Sequence, residues 1–262
     1  MSTHVSTLFD LTGRTALVTG GSRGLGLQIA RSLAEAGARV MISARKQNEL
    51  ESAAANLQSC GLDVQYTPAD TSDPAQIEQL CDRTMQAFGK IDILVNNAGA
   101  TWAAPAHEHP LPAWDKVMNL NVRGVFLMCQ AVANACMIER QQGRIINLAS
   151  IIGLGGSTEA NLIAYATSKG AVVNYTRALA AEWGRYGINV NAIAPGFFPS
   201  KMSHGLISEL GEGTMVSKVP LRRLGNDDDL KGAAVLFASD AGKHITGQIL
   251  AVDGGVSAVI PT

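Results

Sequence analysis

The stretch RTALVTGGSRGLG, Arg14 to Gly26, decides how the rest of the chain is read. Its first six residues, RTALVT (14–19), are a short apolar run with β-branched side chains and read as a buried strand. From Gly24 to Ala36 the apolar residues recur at helical spacing, and Gly37 follows, a residue type suited to a helix C-terminus. Between strand and helix lie Gly20, Gly24 and Gly26, spaced G-x-x-x-G-x-G within TGGSRGLG (19–26). Glycines there permit a tight turn and let the backbone approach a pyrophosphate, which the helix N-terminus then faces. A glycine loop alone is weak evidence. A strand before it and a helix after it supply the context for dinucleotide binding.

The same alternation continues outward from this stretch. ARVMIS (38–43), DVQYTPA (63–69), DILVN (92–96), RIINLAS (144–150), INVNAIA (188–194) and QILAVDGG (248–255) read as further strands. Helices are expected from about Gln47 to Cys60, from Pro74 to about Phe88, through much of Ala113 to Arg140, from about Leu162 to Tyr186, and over 226–239. Asp73-Pro74 resembles an N-cap followed by proline at the first helical position. Repeated β-α-β units with continuously apolar strands predict a single-domain α/β Rossmann fold over residues 1–262. Its parallel sheet would have seven strands, doubly wound, with helices on both faces.

Composition narrows the function. The 262 residues are 47% hydrophobic and 16% charged, with a formal net charge of −1. That balance argues against a nucleic-acid surface or an anionic membrane as partner. The N-terminal MSTHVSTLFD has neither a basic nor an apolar signal region, and no run approaches the roughly 18 apolar residues of a membrane span. Cys60, Cys81, Cys129 and Cys136 form no C-x-x-C pair, so they are expected to be reduced structural thiols in a cytoplasmic protein. His107 and His109 form H-x-H, but no further cysteine or carboxylate completes a metal site, and none is expected.

One segment breaks the pattern. Residues 197–225, FFPSKMSHGLISELGEGTMVSKVPLRRLG, fit no sheet strand. Placed after a strand's carboxyl end, they sit where open α/β sheets bind ligands, and they are expected to form a substrate lid. Phe197, Phe198, Met202, His204, Leu206 and Met215 hint at an apolar substrate portion. NNAG (96–99), at the end of the fourth strand, offers Asn side chains that can bond backbone and shape the crevice.

The chemical signal is YATSK. Tyr165 and Lys169 stand at i and i+4, on one helix face. A nearby ammonium favours the phenolate, which would make Tyr165 a usable acid or base near neutral pH. By itself such a pair is equally an ordinary surface pair. Ser150 adds weight, because it ends the fifth strand at the sheet's carboxyl edge, directly before the helix bearing the pair.

Taken together, TGGSRGLG, NNAG, NVRG (121–124), Ser150, YATSK and Pro195-Gly196 resemble the short-chain dehydrogenase/reductase family, in its order and approximate spacing, from about Leu11 to Gly255. The resemblance implies that Tyr165 exchanges a proton with the substrate oxygen and that Ser150 hydrogen-bonds that oxygen. Lys169 would lower the Tyr165 pKa and hold the nicotinamide ribose. Asn121, which fits N-x-x-G-x-F better than Asn119, would position a water linking Lys169 to solvent. It also implies cofactor contacts from Gly20, Ser22, Arg23, Gly24, Leu25, Gly26, Arg45, Asp70, Thr71, Asn97, Ala98, Gly99, Tyr165, Lys169, Pro195, Gly196 and Phe198, with Asp70 at the adenine. Fourteen residues separate Ser150 from Tyr165, about two more than in many relatives, so this loop is expected to bulge at Leu154, Gly155 or Gly156.

The cofactor choice follows from charge. MISARKQ (41–47) carries no acid to bond a ribose 2′-hydroxyl, whereas Arg23 and Arg45 are suited to a 2′-phosphate. NADP(H) is therefore expected over NAD(H). The chain is most similar to 3-oxoacyl reductases and to sugar or polyol dehydrogenases of the family. The resemblance thus implies hydride transfer between nicotinamide and a ketone or secondary alcohol, in a homotetramer or homodimer. An enoyl reductase would have a wider Tyr–Lys spacing, and a sugar-nucleotide epimerase a longer chain with G-x-x-G-x-x-G. A non-catalytic NADP-binding sensor is the reading from another class, which the intact Ser150, Tyr165 and Lys169 oppose.

Overall fold

A computed structural model of the chain describes residues 3–156, 161–201 and 211–259. The expected strands form at β1 Thr15–Thr19, β2 Arg39–Ala44, β3 Val64–Pro68, β4 Ile93–Asn96, β5 Gly143–Leu148, β6 Ile188–Pro195 and β7 Ile249–Val252. They pair in parallel in the order β3-β2-β1-β4-β5-β6-β7. The order reverses between β1 and β4, and a crevice opens outside the strands' carboxyl ends at such a reversal.

Both faces of the sheet are covered, which explains the unbroken apolar runs. Successive side chains alternate between the faces. Val18, Val40, Ile42, Ile93 and Ile146 enter one core with Ile29, Leu33 and Phe237. Leu17, Met41, Leu94, Ile145 and Val190 enter the other with Leu80, Met128, Val132 and Leu179. The helices are α1 Gly24–Glu35, α2 Gln47–Ser59, α3 Pro74–Phe88, α4 Leu111–Arg140, α5 Ile163–Trp183, α6 Glu212–Ser217 and α7 Lys231–Ala238. Asp73 caps α3 as expected, its carboxylate accepting the Ala75 N–H at 3.0 Å.

Three details depart from the sequence reading. The helix expected over 226–239 begins only at Lys231. Before it, the Asp229 carboxylate accepts the Asn226 N–H at 2.8 Å and pairs with Arg223, local bonds that compete with helix formation. A one-turn helix at Val5–Leu8 was not anticipated. Helix α4 contains two π-helical turns, Asn119–Arg123 and Ala133–Met137. It is long and apolar enough to cross a membrane by length and composition, yet half of that window is buried, where α4 packs on α3, α5 and β4.

Candidate active site

The glycine loop is built as its spacing requires. Gly20 and Gly24 take positive φ, 66° and 54°. A side chain on Gly26 would fall on the Gly20 carbonyl and on the Asn97 amide, so α1 can start this close to β1 only with glycine there. Asn97 in turn donates to the Thr19 and Gly20 carbonyls, both at 3.0 Å, tying the loop to the end of β4. Asn96 instead faces the core and donates to Asn147 at 2.9 Å. The first turn of α1 has Arg23 as its N-cap residue and no side-chain cap. Its leading N–H groups are thus left for an anion in the cleft. Gly24 borders open space, the nearest heavy atom to an added Cβ being Ser200 Cβ at 3.9 Å.

Three elements bring the chemical groups together. Ser150 follows β5 and caps the 3-10 turn Ile151–Gly153. Its hydroxyl hydrogen-bonds that of Tyr165 on α5. Lys169, one turn along α5, lies with Nζ 5.6 Å from the Tyr165 ring centroid and donates to the Leu148 carbonyl. Gly153 packs directly on the Lys169 backbone, where a side chain would clash, so the turn after Ser150 and α5 hold each other in place.

Burial sets the protonation states, and here the structure departs from the sequence reading. Desolvation pushes the Tyr165 phenol up, and the Ser150 hydrogen bond only partly opposes it. Lys169 is lowered to about 8 by desolvation. The expected depression of Tyr165 by Lys169 is outweighed, because burial disfavours the charged form of both groups and the ammonium is directed to a carbonyl.

Asn121 is 1% exposed and lies behind this constellation rather than in the cleft. Its amide accepts the Ala100 N–H at 2.8 Å and donates to the Ala100 carbonyl and to Ser168, each at 2.9 Å. It does so from the first π turn of α4, a feature often found at functional sites. Gly124 ends that pattern because a side chain there would meet the Thr71 carbonyl. Asn121 therefore joins the loop after β4 to the residue next to Lys169.

All the other expected cofactor and catalytic residues border a single cleft of about 1980 Å³. Pockets for drug-sized ligands are roughly 300–1,000 Å³, so the cleft has room for a dinucleotide and a substrate together. At its ribose end Arg45 is two-thirds exposed and reaches Asp70 at 3.9 Å. Asp70 also accepts the Ser72 N–H and hydroxyl, at 2.9 and 2.7 Å. Arg23 and Lys46 both pair with Glu49. Ser43 Oγ is buried here with no protein partner. An uncapped helix start, a glycine cradle and a cationic ribose end fit a phosphorylated dinucleotide.

Past Tyr165 the wall is apolar. Ala104 bridges Leu162, and the Ala104 N–H bonds the Asn161 carbonyl at 2.8 Å. Trp102, Pro105, Ile152 and Leu154 line the same cleft. Of the loop expected to bulge after Ser150, Leu154, Gly155 and Gly156 lie on the lining, and residues 157–160 lie outside the described residues. Phe198 is buried against Gly225, and the Gly225 N–H bonds the Phe197 carbonyl at 2.9 Å, anchoring both ends of segment 197–225. Met215 is buried at the cleft, whereas Met202, His204 and Leu206 lie outside the described residues. His107 pairs with Glu108, and His109 packs edge-on against Trp114.

Sequence reasoning missed several lining residues. Trp102 and Leu162 carry no motif, and they line one cleft because two loops far apart in sequence pair at Ala104 and Leu162. Glu49 was overlooked although its place in the first turn of α2, beside Lys46, was a readable signal.

Comparison with known proteins adds an independent view. The family model for short chain dehydrogenases matches residues 14–210. The chain is 38% identical over 251 residues to gluconate 5-dehydrogenase of Gluconobacter oxydans, covering 95% of this chain and 97% of that protein. It is 39% identical over 252 residues to the rhamnolipids biosynthesis 3-oxoacyl-[acyl-carrier-protein] reductase of Pseudomonas aeruginosa, covering 94% and 97%. Among solved structures, a gluconate 5-dehydrogenase from Burkholderia cenocepacia in complex with NADP and tartrate superposes with a TM-score of 0.92. It is 37% identical, with 98% of this chain and 100% of that chain covered.

Proposed function

The chain belongs to the short-chain dehydrogenase family, and from that premise we propose that it is an NADP(H)-dependent oxidoreductase interconverting a ketone and a secondary alcohol. The observation that carries this reading is the meeting of Ser150, Tyr165 and Lys169 beside the glycine cradle, in one cleft.

The cofactor, when bound, supplies or accepts the hydride. The chain supplies position and the proton. Gly20, Gly24, Gly26 and the start of α1 would hold the pyrophosphate, and Arg23 and Arg45 the 2′-phosphate. Tyr165, whose pKa is raised, keeps its proton through neutral pH and can give it to a carbonyl oxygen held within reach. Ser150 donates to the same oxygen and stabilises the negative charge that develops there. Lys169, whose pKa lies near 8, is poised to return a proton to Tyr165 after turnover. Asn121 braces Ala100 and Ser168 around it.

The substrate we favour is an apolar ketone such as a 3-oxoacyl thioester, rather than a sugar acid. Among the described residues, the lining past Tyr165 includes Trp102, Ala104, Ile152, Leu154, Leu162 and Met215 and carries no cation for a substrate carboxylate. Of the charged lining residues other than Lys169, Arg23, Arg31, Lys46 and Glu49 lie on or beside α1 and α2, Arg45 and Asp70 follow β2 and β3, Asp227, Asp228 and Lys231 lie at the start of α7, and Lys201, from the segment after β6, acts on Glu49. Phe198 and Met215, from the described parts of segment 197–225, border the cleft, which supports reading that segment as a lid.

Loss of NADPH absorbance tests the reading, with a 3-oxoacyl thioester, 5-ketogluconate and a simple cyclic ketone compared. Turnover of the thioester above the sugar acid is expected. Faster reduction of 5-ketogluconate would establish the sugar-acid alternative, and tight NADPH binding without turnover of any ketone would establish the sensor.

We also propose a homotetramer or homodimer in a reducing cytoplasm. Phe126 and Leu250 are exposed apolar side chains on α4 and β7, and all four cysteines are free thiols. Light scattering tests the assembly.

A further inference from the structure

The ribose end of the cleft contains an unexpected carboxylate. Glu49 lies in the first turn of α2, among the cations expected to receive a 2′-phosphate. Its two oxygens accept Arg23 Nη1 at 3.0 and 2.8 Å, and one of them accepts Lys46 Nζ at 3.1 Å. Lys201, from the segment after β6, adds to the positive field on it. Arg45 is two-thirds exposed and reaches Asp70 at 3.9 Å.

We propose that Glu49 is a specificity-determining residue that competes with the 2′-phosphate for Arg23 and Lys46. It thereby limits the preference for NADP(H) and leaves the site usable by NAD(H). The proposal rests on the cofactor reading above. A phosphate dianion on the ribose needs the same N–H donors that Glu49 now occupies. Seating it means that Arg23 and Lys46 turn from the carboxylate or are shared with it, and the remaining carboxylate repels the phosphate across the same few ångströms. NADH, which lacks that phosphate, leaves both ion pairs intact. Glu49 is about one-quarter exposed, so the effect is moderated by water but not abolished.

The test is equilibrium binding of NADPH and NADH to the full chain, read from nicotinamide fluorescence, for the wild type and Glu49→Gln. Expected is a roughly two- to fivefold tighter NADPH Kd in the variant with the NADH Kd unchanged, as for loss of a partly exposed charge pair. The gain should shrink as salt is raised, since it is electrostatic. A ratio of NADH to NADPH Kd that stays constant or falls in E49Q, or equal shifts for both cofactors, would overturn the proposal, because Glu49 would then only orient Arg23 or support α2. If the wild type prefers NADPH and the variant does not increase that preference, this proposal alone fails. If neither protein distinguishes the two cofactors, the NADP(H) reading fails with it.

Discussion

Lys169→Met should make the unliganded protein more stable while abolishing turnover. Lys169 is held at about 8 in the folded chain, against 10.5 for a free lysine, and desolvation is the cause. That gap corresponds to about 3 kcal/mol of destabilisation at pH 7, where the group is charged in both states. Methionine keeps most of the volume and carries no charge. It also loses the bond from the ammonium to the Leu148 carbonyl, worth about 2 kcal/mol for an ionised donor. The net expectation is a gain of about 1 kcal/mol at pH 7, or a melting temperature higher by roughly 2–4 °C.

The sign of the pH dependence follows from the lowered pKa. Between pH 8 and 10.5 the unfolded wild type binds more protons than the folded one, so its stability rises with pH in that window. The advantage of K169M is therefore full below about 8 and shrinks by about 1.4 kcal/mol per pH unit above it. Urea unfolding of both proteins from pH 7 to 10 measures the difference, and other titrating groups cancel in the subtraction. A variant less stable than wild type at pH 7, or a difference flat with pH, would show that the Lys169 charge is not desolvated and would refute the reasoning.

Further substitutions probe the rest of the site. Tyr165→Phe removes the proton donor and should lower kcat by roughly 10²–10⁴ with little change in NADPH Kd, measured by steady-state kinetics and fluorescence. Arg45→Asp should move the NADPH/NADH ratio of kcat/KM toward NADH by about ten- to a hundredfold, because it replaces a charge-assisted donor with a repelling acid. A wild-type kcat/KM for NADH at least as high as that for NADPH would contradict the cofactor reading. Gly26→Ala drives a methyl group into the Gly20 carbonyl, and about 1–3 kcal/mol of stability should be lost together with cofactor affinity, read by thermal unfolding with and without NADPH. At the opposite edge of the sheet, burial pushes the Asp92 carboxyl up, but Arg140, Lys90 and the Thr15 N–H together hold it below its ordinary value. Asp92→Asn should cost about 3 kcal/mol by leaving Arg140 uncompensated, with kcat unchanged.

Much of this protein was legible before any coordinates. Strand and helix periodicities are local, so the seven strands and the parallel sheet could be read from runs such as RTALVT and INVNAIA. The glycine spacing was legible for the same reason, since a turn that admits no side chain must be written in adjacent residues. YATSK was readable because a single helical turn brings i and i+4 together. The late start of α7 was not, because it depends on the Asp229 carboxylate meeting the Asn226 N–H and Arg223.

What the amino-acid sequence determined by itself was the fold and the reaction type, and it named the side chains proposed to carry that reaction. Protonation was decided by tertiary structure. Whether Tyr165 and Lys169 are charged depends on how much of the chain closes over them, and burial moved both away from the expectation that adjacency alone supports. The pairing of charges was decided there too. Arg23 and Glu49 are 26 residues apart, and only the packing of α1 and α2 on one sheet edge sets a carboxylate where a phosphate is expected. Adjacency in sequence specifies which groups are present, but desolvation and Coulomb energy depend on distances between groups that the chain joins only by folding.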